Sequence, residues 1–172
     1  MNLLLAGEQT ERLRFRKLHV SVFDAWLPFH EDKRTSAHWK GLPEAPSTAC
    51  QQQFESIFRR YKEGRGGMNA LILKNTGKLI GLCGLLSQTV DVIPELEIGY
   101  SILPIYWRNG FASEAATTCK IFAEKNHLAD SLISIIQVDN IPSQGVALKN
   151  GMHLDKTTVY YHNEVHIYRV RI

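Results

Sequence analysis

A short loop between a predicted strand and a predicted helix carries the clearest chemistry in this sequence. The loop follows an apolar segment that ends at Leu103, and its residues are Arg108, Asn109, Gly110, Phe111, Ala112 and Ser113. Such a loop exposes backbone N–H groups at the positive end of a helix dipole, where phosphate or pyrophosphate binds. Gly110 lets the backbone approach a ligand closely, and Ala112 leaves that approach unobstructed. The spacing indicates a phosphate site, although a plain strand–helix connection would have the same spacing.

The loop belongs to a longer tract whose residues follow a recognisable order. Glu95-Leu96-Glu97-Ile98-Gly99-Tyr100 comes first, followed by Pro104, an aromatic pair and the loop itself. This order resembles the central motif of the GNAT acetyltransferases, most of all the RimJ/RimL type that acetylates ribosomal-protein N-termini. Weaker likenesses occur in the family's order from about Thr10 to Met152, and they comprise Thr10–Arg16, Thr76–Leu85, Asp139–Ser143 and Lys149–Met152.

The resemblance implies a fold and a reaction. The implied fold is α/β (α+β), a single domain over residues 1–172 with a mixed central sheet of about seven strands. This sheet contains antiparallel hairpins and one parallel pair at the cofactor cleft, and about four helices flank it. The implied reaction transfers an acetyl group from acetyl-CoA to a primary amine by direct attack in a ternary complex. The acceptor is a protein N-terminus or a small-molecule amine.

Two carboxylates precede the loop on its strand. An ammonium has no lone pair, so a base must first remove its proton. Glu97 resembles the family's acidic residue on the central strand, which implies this catalytic role. Glu95 lies two residues earlier and therefore on the same strand face, where it would contact the substrate and raise the pKa of its neighbour. The alternative is that both are exposed strand charges.

Further contacts to acetyl-CoA are implied by the resemblance alone. The backbones of Ile102 and Leu103 would meet the pantetheine arm, and Asn140 and Ser143 would contact the far side of the cofactor. Ala147 stands where many members carry a tyrosine that protonates the leaving thiolate, so Ser143 is expected to hydrogen-bond the sulfur instead. The alternatives are a turn residue for Asn140 and a helix cap for Ser143.

The elements that must position these residues are read from periodicity and turn residues. Trp26 and Phe29 lie on a short amphipathic helix and, together with Trp39 and Tyr106, are expected to line the acceptor cleft, although most aromatic residues are core. Arg12, Arg14 and Arg16 alternate with apolar residues and are expected on a solvent face. The predicted helices are Val20–His30, Ser47–Tyr61, Ser113–His127 and Pro142–Lys149. The predicted strands are Arg12–Arg16, Ala70–Leu73, Leu79–Leu86, Leu96–Leu103, Leu132–Val138, Val159–Tyr161 and Val165–Val170, the last two forming a hairpin around Asn163.

Composition limits the other function classes. A formal charge of +3 gives no sign of nucleic-acid or membrane binding, and no apolar run reaches the ~20 residues of a membrane span. His162 and His166 fall on a predicted hairpin rather than one helix face, so no metal site is expected. Cys50, Cys83 and Cys119 are sparse and odd in number, which predicts reduced packing thiols and a cytoplasmic location. Both a monomer and a homodimer fit these observations.

Two alternatives to an enzyme remain at this level. One is a catalytically silent GNAT-fold module that binds CoA for regulation, and Ala147 is the residue that favours it. The other is a structural α/β protein whose motifs are packing coincidences. Binding of acetyl-CoA separates the second from the rest, and thiol release with an amine separates the first.

Overall fold

Seven strands form one mixed sheet in the order β1-β2-β3-β4-β5-β7-β6. The computed structural model describes residues 2–172. Neighbouring strands are antiparallel except β4 and β5, which run parallel. The predicted mixed sheet with one parallel pair is therefore confirmed. The strands are β1 (Leu13–Arg16), β2 (Gly66–Leu73), β3 (Leu79–Val90), β4 (Ile93–Ile102), β5 (Ser131–Gln137), β6 (His153–Tyr160) and β7 (Asn163–Arg171).

Between residues 2 and 172 five α-helices flank the sheet, one more than expected, because a single turn forms at Lys33–Ser36, between the first two predicted helices. None of the helices formed by residues 2–172 is long and apolar enough to cross a membrane. The helices are α1 (Phe23–Glu31), α2 (Lys33–Ser36), α3 (Pro46–Glu63), α4 (Phe111–Lys125) and α5 (Ile141–Lys149), with 3₁₀ turns at Val20–Val22 and Pro104–Tyr106.

The two sheet faces bury different helices. The stripe of α3 places Phe54 and Ile57 in a core shared with Trp26 of α1. On the opposite face α4 presents small residues to the sheet, which lets its backbone come close to β3 and β4. The buried small residues of α4 are Ala115, Ala116, Cys119 and Ala123.

Two hairpin turns differ from the sequence-based prediction. The β3–β4 turn at Asp91 and Val92 and the β6–β7 turn at Tyr161 and His162 all have positive φ, between 45° and 64°. Glycine and asparagine normally mark such turns, and neither residue occupies these four positions. The strands beside these turns are also longer than predicted, since β6 begins at His153 instead of Val159 and β3 continues to Val90 instead of Leu86.

The tip of the β3–β4 hairpin is fastened to β6. The Asp91 carboxylate lies 2.8 Å from Lys156 Nζ and accepts a hydrogen bond of 2.8 Å from the Thr158 hydroxyl. Val90, just before the turn, is buried against Ile133 and Ile167. The hairpin therefore covers part of the sheet face formed by β5 and β7.

Arg12 connects the first strand to α4. Its guanidinium contacts the Glu114 carboxylate through Nε and Nη2, each at 2.7 Å, and stacks 4.2 Å from the Phe111 ring centroid. The Thr10 hydroxyl donates to the same carboxylate. Arg14 and Arg16 are exposed as predicted. The Arg12 side chain is also 40% exposed, but unlike the other two it reaches back to bind α4.

We expect Glu114→Gln to lower the free energy of unfolding at pH 7 by roughly 1–3 kcal/mol, the scale of hydrogen bonds to a charged group. Partial burial alone would raise the pKa of Glu114, but hydrogen bonds from Thr10 and Arg12 outweigh it and leave the pKa below 4.5. A depressed pKa stabilises the fold above the unfolded value, and this stabilisation is lost as the pH falls.

Urea unfolding at several pH values measures the difference, with the exposed Glu124→Gln on the same helix as control. The gap between Glu114→Gln and the unsubstituted protein should close as the pH falls below 4.5. An equal gap at pH 7 and in acid would contradict the ion pair.

Candidate active site

The parallel strands β4 and β5 part immediately after one paired position. Glu97 and Ile133 are partners, and no later residue pair joins these two strands among the described residues. Next along, the Ser134 hydroxyl donates to the Ile98 carbonyl at 2.9 Å in place of a backbone bond. The carboxyl ends of both strands point to the same edge, so the gap opens toward the start of α4.

Backbone groups of β4 face this gap at alternate residues. The Leu103 N–H donates to the Ile80 carbonyl at 2.9 Å, so it points toward β3. By alternation, the N–H and C=O groups of Tyr100 and Ile102 point toward β5. The Ile102 carbonyl accepts the Trp107 indole N–H at 2.7 Å. Of the two backbones expected to meet a cofactor arm, Ile102 faces the gap, whereas the N–H of Leu103 does not.

The loop before α4 is shaped by Gly110, the N-cap of the helix. Gly110 has φ 78° and ψ 6°, and no side chain caps the first turn. Arg108 also has a positive φ of 61° and is exposed. Ala112 and Ser113 are half-buried in the first turn, whereas Phe111 is buried in the core. The exposed start of α4 thus offers its backbone N–H groups to an anion.

Side chains beneath the loop hold its shape. Asn109 Nδ2 donates to the carbonyls of Tyr106 and Trp107, at 3.1 and 2.9 Å. Arg12 Nη1 donates to the Asn109 carbonyl at 2.8 Å. The side chain of Asn109 therefore braces the loop. Arg12 was missed by the sequence reasoning, since its alternating pattern indicates only a solvent face.

The Glu97 carboxylate is half-buried at the point where the strands part. Gln88 Nε2 donates to Glu97 Oε2 at 2.7 Å, and the backbone N–H of Ile135, released by the parting of the strands, also donates to this carboxylate. Burial raises the pKa of Glu97, while the hydrogen bonds and the nearby Arg60 oppose that shift. Glu97 is therefore a stronger base than a surface glutamate.

Glu95 lies on the same strand face as Glu97 but forms an ion pair with an arginine. Arg169 contacts Glu95 at 2.6 and 3.0 Å, and the Glu95 side chain is 9% exposed. Arg169 also binds Asp155 at 2.9 Å and the Ser131 hydroxyl at 2.8 Å. A neighbouring carboxylate was expected to raise the pKa of Glu97. That cause is wrong, because Arg169 neutralises Glu95 and burial provides the shift.

Helix α5 begins opposite the open edge of β4. Asn140 is its N-cap, with Oδ1 accepting the Ser143 N–H at 3.2 Å, so the alternative of Ser143 as the cap is wrong. Tyr100 donates its hydroxyl to the Ser143 carbonyl at 2.8 Å, which ties α5 to β4. Ser143 is half-buried, whereas Ala147 one turn later is 1% exposed in the core. A larger side chain at Ala147 would displace core neighbours.

Trp26, one of the aromatic residues expected at the acceptor cleft, packs in the core instead. Trp26 is fully buried, donates its indole N–H to Gln53 at 2.7 Å, and stacks on Phe29 with ring centroids 4.5 Å apart. Trp26 therefore joins α1 to α3. The prediction that it lines a cleft is wrong, because the amphipathic spacing that suggested it is also that of a core residue. Phe29 is only half-buried.

Two aromatic residues lie on the sheet face of Glu97, and one of them, Trp39, was also expected at the cleft. Trp39 and Tyr160 pack against an apolar cluster that includes Ile133, the partner of Glu97. The segment carrying Trp39 is fixed to the β6–β7 hairpin, where Asn163 Oδ1 accepts the Lys40 N–H at 2.8 Å. No group of three or more His, Cys, Asp or Glu side chains suited to a metal occurs between residues 2 and 172.

Known proteins resemble this chain in sequence and in fold. YkkB of Bacillus subtilis (strain 168), described as an uncharacterized protein, is 33% identical over 95 residues, and the match spans 55% of each chain. The uncharacterized N-acetyltransferase YoaA of the same strain is 32% identical over 144 residues, covering 83% of this chain and 80% of YoaA.

Solved acetyltransferases share the whole fold. One from Agrobacterium tumefaciens str. C58 is 25% identical with a TM-score of 0.81, covering 100% of this chain and 98% of the other. RimL, a ribosomal L7/L12 alpha-N-protein acetyltransferase, is 15% identical with a TM-score of 0.77, covering 96% and 93%. The model of the acetyltransferase (GNAT) domain matches residues 12–153. The chain therefore belongs to the GNAT family and is an acetyl-CoA-dependent acyltransferase.

Proposed function

We propose that this enzyme acetylates a primary amine by direct attack on acetyl-CoA, with both substrates bound together. The observation that carries the proposal is the half-buried Glu97 carboxylate at the parting of β4 and β5. The parted strands open toward the exposed start of α4. A base, an open strand edge and an anion-binding loop thus meet at one edge of the sheet.

The residues at this edge fit acetyl-CoA. At Gly110 the absence of a Cβ keeps the approach to the first turn of α4 open, and a pyrophosphate there would meet the N–H groups of Phe111, Ala112 and Ser113. The backbone N–H and C=O of Tyr100 and the N–H of Ile102 would hold the amide-rich pantetheine arm, while the Ile102 carbonyl accepts the Trp107 indole N–H. Asn140 and Ser143 at the start of α5 would border its other side. When bound, acetyl-CoA supplies an activated acyl group on a good leaving thiolate.

Glu97 removes a proton from the amine, directly or through water. Its burial raises its pKa, which brings a carboxylate closer to the range useful for a base at neutral pH. The same negative charge attracts the protonated amine before the proton leaves. Below the pKa of Glu97 the base is lost, so kcat/KM should fall on the acid side.

The acceptor is a protein N-terminus or a small-molecule amine. RimL acts on the N-terminus of the ribosomal protein L7/L12, and its fold likeness supports the first class. Trp39 and Tyr160 on the Glu97 face would contact the chain that carries the amine. The proposal treats residues 1–172 as one domain, because the sheet extends from Leu13 to Arg171. It also includes a cytoplasmic location, which the free thiols of the three cysteines favour.

The reaction is tested by incubating acetyl-CoA with a panel of amines and measuring free thiol. The panel contains short peptides with free and with blocked N-termini, polyamines, amino acids and aminoglycosides. Thiol release that requires a free amine supports the proposal, and mass spectrometry then locates the acetyl group. Acetyl-CoA binding without release for any amine would favour the silent module.

Gly110→Val should weaken acetyl-CoA binding at least tenfold, about 1.4 kcal/mol. Valine has a branched Cβ and is strained at φ 78°, so the loop must change shape and turn its N–H groups away. Calorimetric titration gives the affinity. Gly64→Val is the matched control, since Gly64 has φ 67° at the end of α3 and open space around it. Unchanged affinity in a folded Gly110→Val protein would remove the loop from the donor site.

Glu97→Gln should keep acetyl-CoA affinity and lower turnover by roughly 10²-fold or more, the scale of general-base loss. The amide keeps the shape of the carboxylate but cannot take the proton. Glu95→Gln provides the contrast, because breaking its buried ion pair with Arg169 should lower thermal stability first. Full turnover by Glu97→Gln on the best amine would exclude Glu97 as the base.

Ser143→Ala should lower turnover roughly ten- to hundredfold with acetyl-CoA binding nearly intact. The hydroxyl would stabilise the departing thiolate by a hydrogen bond to a charged acceptor. Because Asn140 caps α5, loss of this hydroxyl should leave the helix stable. Turnover and thermal unfolding are measured together. A fall in stability alone would show that Ser143 serves the fold rather than the reaction.

A further inference from the structure

Arg60 and Gln88 form a chain of hydrogen bonds that ends at the Glu97 carboxylate. Arg60 on α3 donates from Nη2 to Gln88 Oε1 at 2.8 Å. Gln88 on β3 then donates from Nε2 to Glu97 Oε2 at 2.7 Å. All three side chains are half-buried on one face of the sheet. Arg60 is thereby connected to Glu97 through a single amide group.

The order of donors and acceptors fixes the direction of the Gln88 side chain. A guanidinium only donates hydrogen bonds, and an ionised carboxylate only accepts them. Gln88 must therefore turn its oxygen to Arg60 and its NH₂ group to Glu97. The chemistry of the three groups thus selects one orientation.

Arg60 is itself held in place by the backbone. Its Nη1 donates to the Ser87 carbonyl at 3.0 Å, next to Gln88 on β3. The same helix is anchored by Phe54 and Ile57 in the core. A fixed guanidinium polarises the amide, and a polarised amide donates a stronger hydrogen bond. This bond favours the charged form of Glu97 and limits the rotation of its carboxylate.

We propose that Arg60 and Gln88 are positioning residues that orient Glu97 and keep it ionised for proton removal. The proposal rests on the function proposed above, because it assigns a supporting pair to that base. It assigns Arg60 no contact with the substrate. It also explains why a carboxylate at a half-buried position remains available as a base.

Other ionisable groups near Glu97 differ in their partners. Glu95 is paired with Arg169 and contributes little net charge. Tyr160 approaches from β6, where the proximity of Glu97 adds to the effect of burial in raising the Tyr160 pKa. The remaining neighbours of this charge network are Tyr100 on β4, Arg65 after α3 and Tyr161 in the β6–β7 turn. Arg60 is the one among these groups that is joined to Glu97 by a hydrogen-bonded amide.

The experiment follows the Glu97 carboxyl carbon by ¹³C NMR during a pH titration of the protein without ligand. Comparison with Glu97→Gln identifies the resonance. Gln88→Met keeps the length of the side chain and removes the amide, and Arg60→Gln removes the cation. Both should move the Glu97 titration to higher pH, because the charged form loses support. Arg59→Gln removes an exposed charge from the neighbouring position of α3 and should leave the titration unchanged.

Turnover gives the second readout, using acetyl-CoA and the best amine of the panel. Gln88→Met and Arg60→Gln should lower kcat at pH 7 about tenfold and shift the acid limb of kcat/KM upward. Acetyl-CoA affinity should be unchanged. Arg60→Lys keeps the charge without the planar guanidinium and should recover part of the loss.

An unchanged Glu97 titration in both folded variants would overturn the proposal. If Gln88→Met does not fold, the titration of Arg60→Gln decides the outcome. The NMR result does not depend on any acceptor. A shifted titration together with full turnover by Glu97→Gln would refute the proposed base while leaving the pairing of the three residues intact.

Discussion

The single point of contact between β4 and β5 is the constraint on which the site depends. Parallel strands normally remain paired over several residues, since each lost backbone bond leaves a donor and an acceptor without a partner. Here the pairing ends after Glu97 and Ile133, and side chains replace the missing bonds. The Ser134 hydroxyl donates to the Ile98 carbonyl, and the Glu97 carboxylate accepts the N–H of Ile135 that the separation leaves free. Polar side chains therefore stabilise the start of the gap, whereas backbone groups of Tyr100 and Ile102 further along face it.

The separation of β4 from β5 also explains how two carboxylates on β4, those of Glu95 and Glu97, differ in their charge partners. Glu95 meets a guanidinium directly, and the pair neutralises itself. Glu97 meets its guanidinium only through the Gln88 amide, so its charge is supported without being cancelled. Two residues of the same type, one pleat apart, thus differ through their partners. Local sequence contains no sign of this difference, because the partners come from α3, β3 and β7.

The sequence separation between interacting residues determines which features could be predicted from the sequence. The loop before α4 depends on neighbouring residues, so Gly110 was identifiable from motif and spacing, whereas the sequence suggested Ser143 rather than Asn140 as the cap of α5. Arg12 and Arg60 act over long sequence separations, and an arginine on an exposed-looking face gives no indication of its target. Trp26 was misassigned because a core aromatic and a cleft aromatic share one helical pattern. The turn at Asp91 escaped prediction because no glycine or asparagine marks it.

The attachment of the β3–β4 hairpin to the last hairpin of the chain has a consequence for folding. Glu95 contacts Arg169, which lies 74 residues further along, and Asp91 contacts Thr158, 67 residues away. Contacts this distant form late, because a long segment must be ordered before any of them is gained. During synthesis, the strand that carries Glu97 leaves the ribosome well before its C-terminal partners exist. A nascent chain that ends before β7 can form the helices and the first strands. The Glu97 carboxylate reaches its final environment only when the β6–β7 hairpin packs on the sheet.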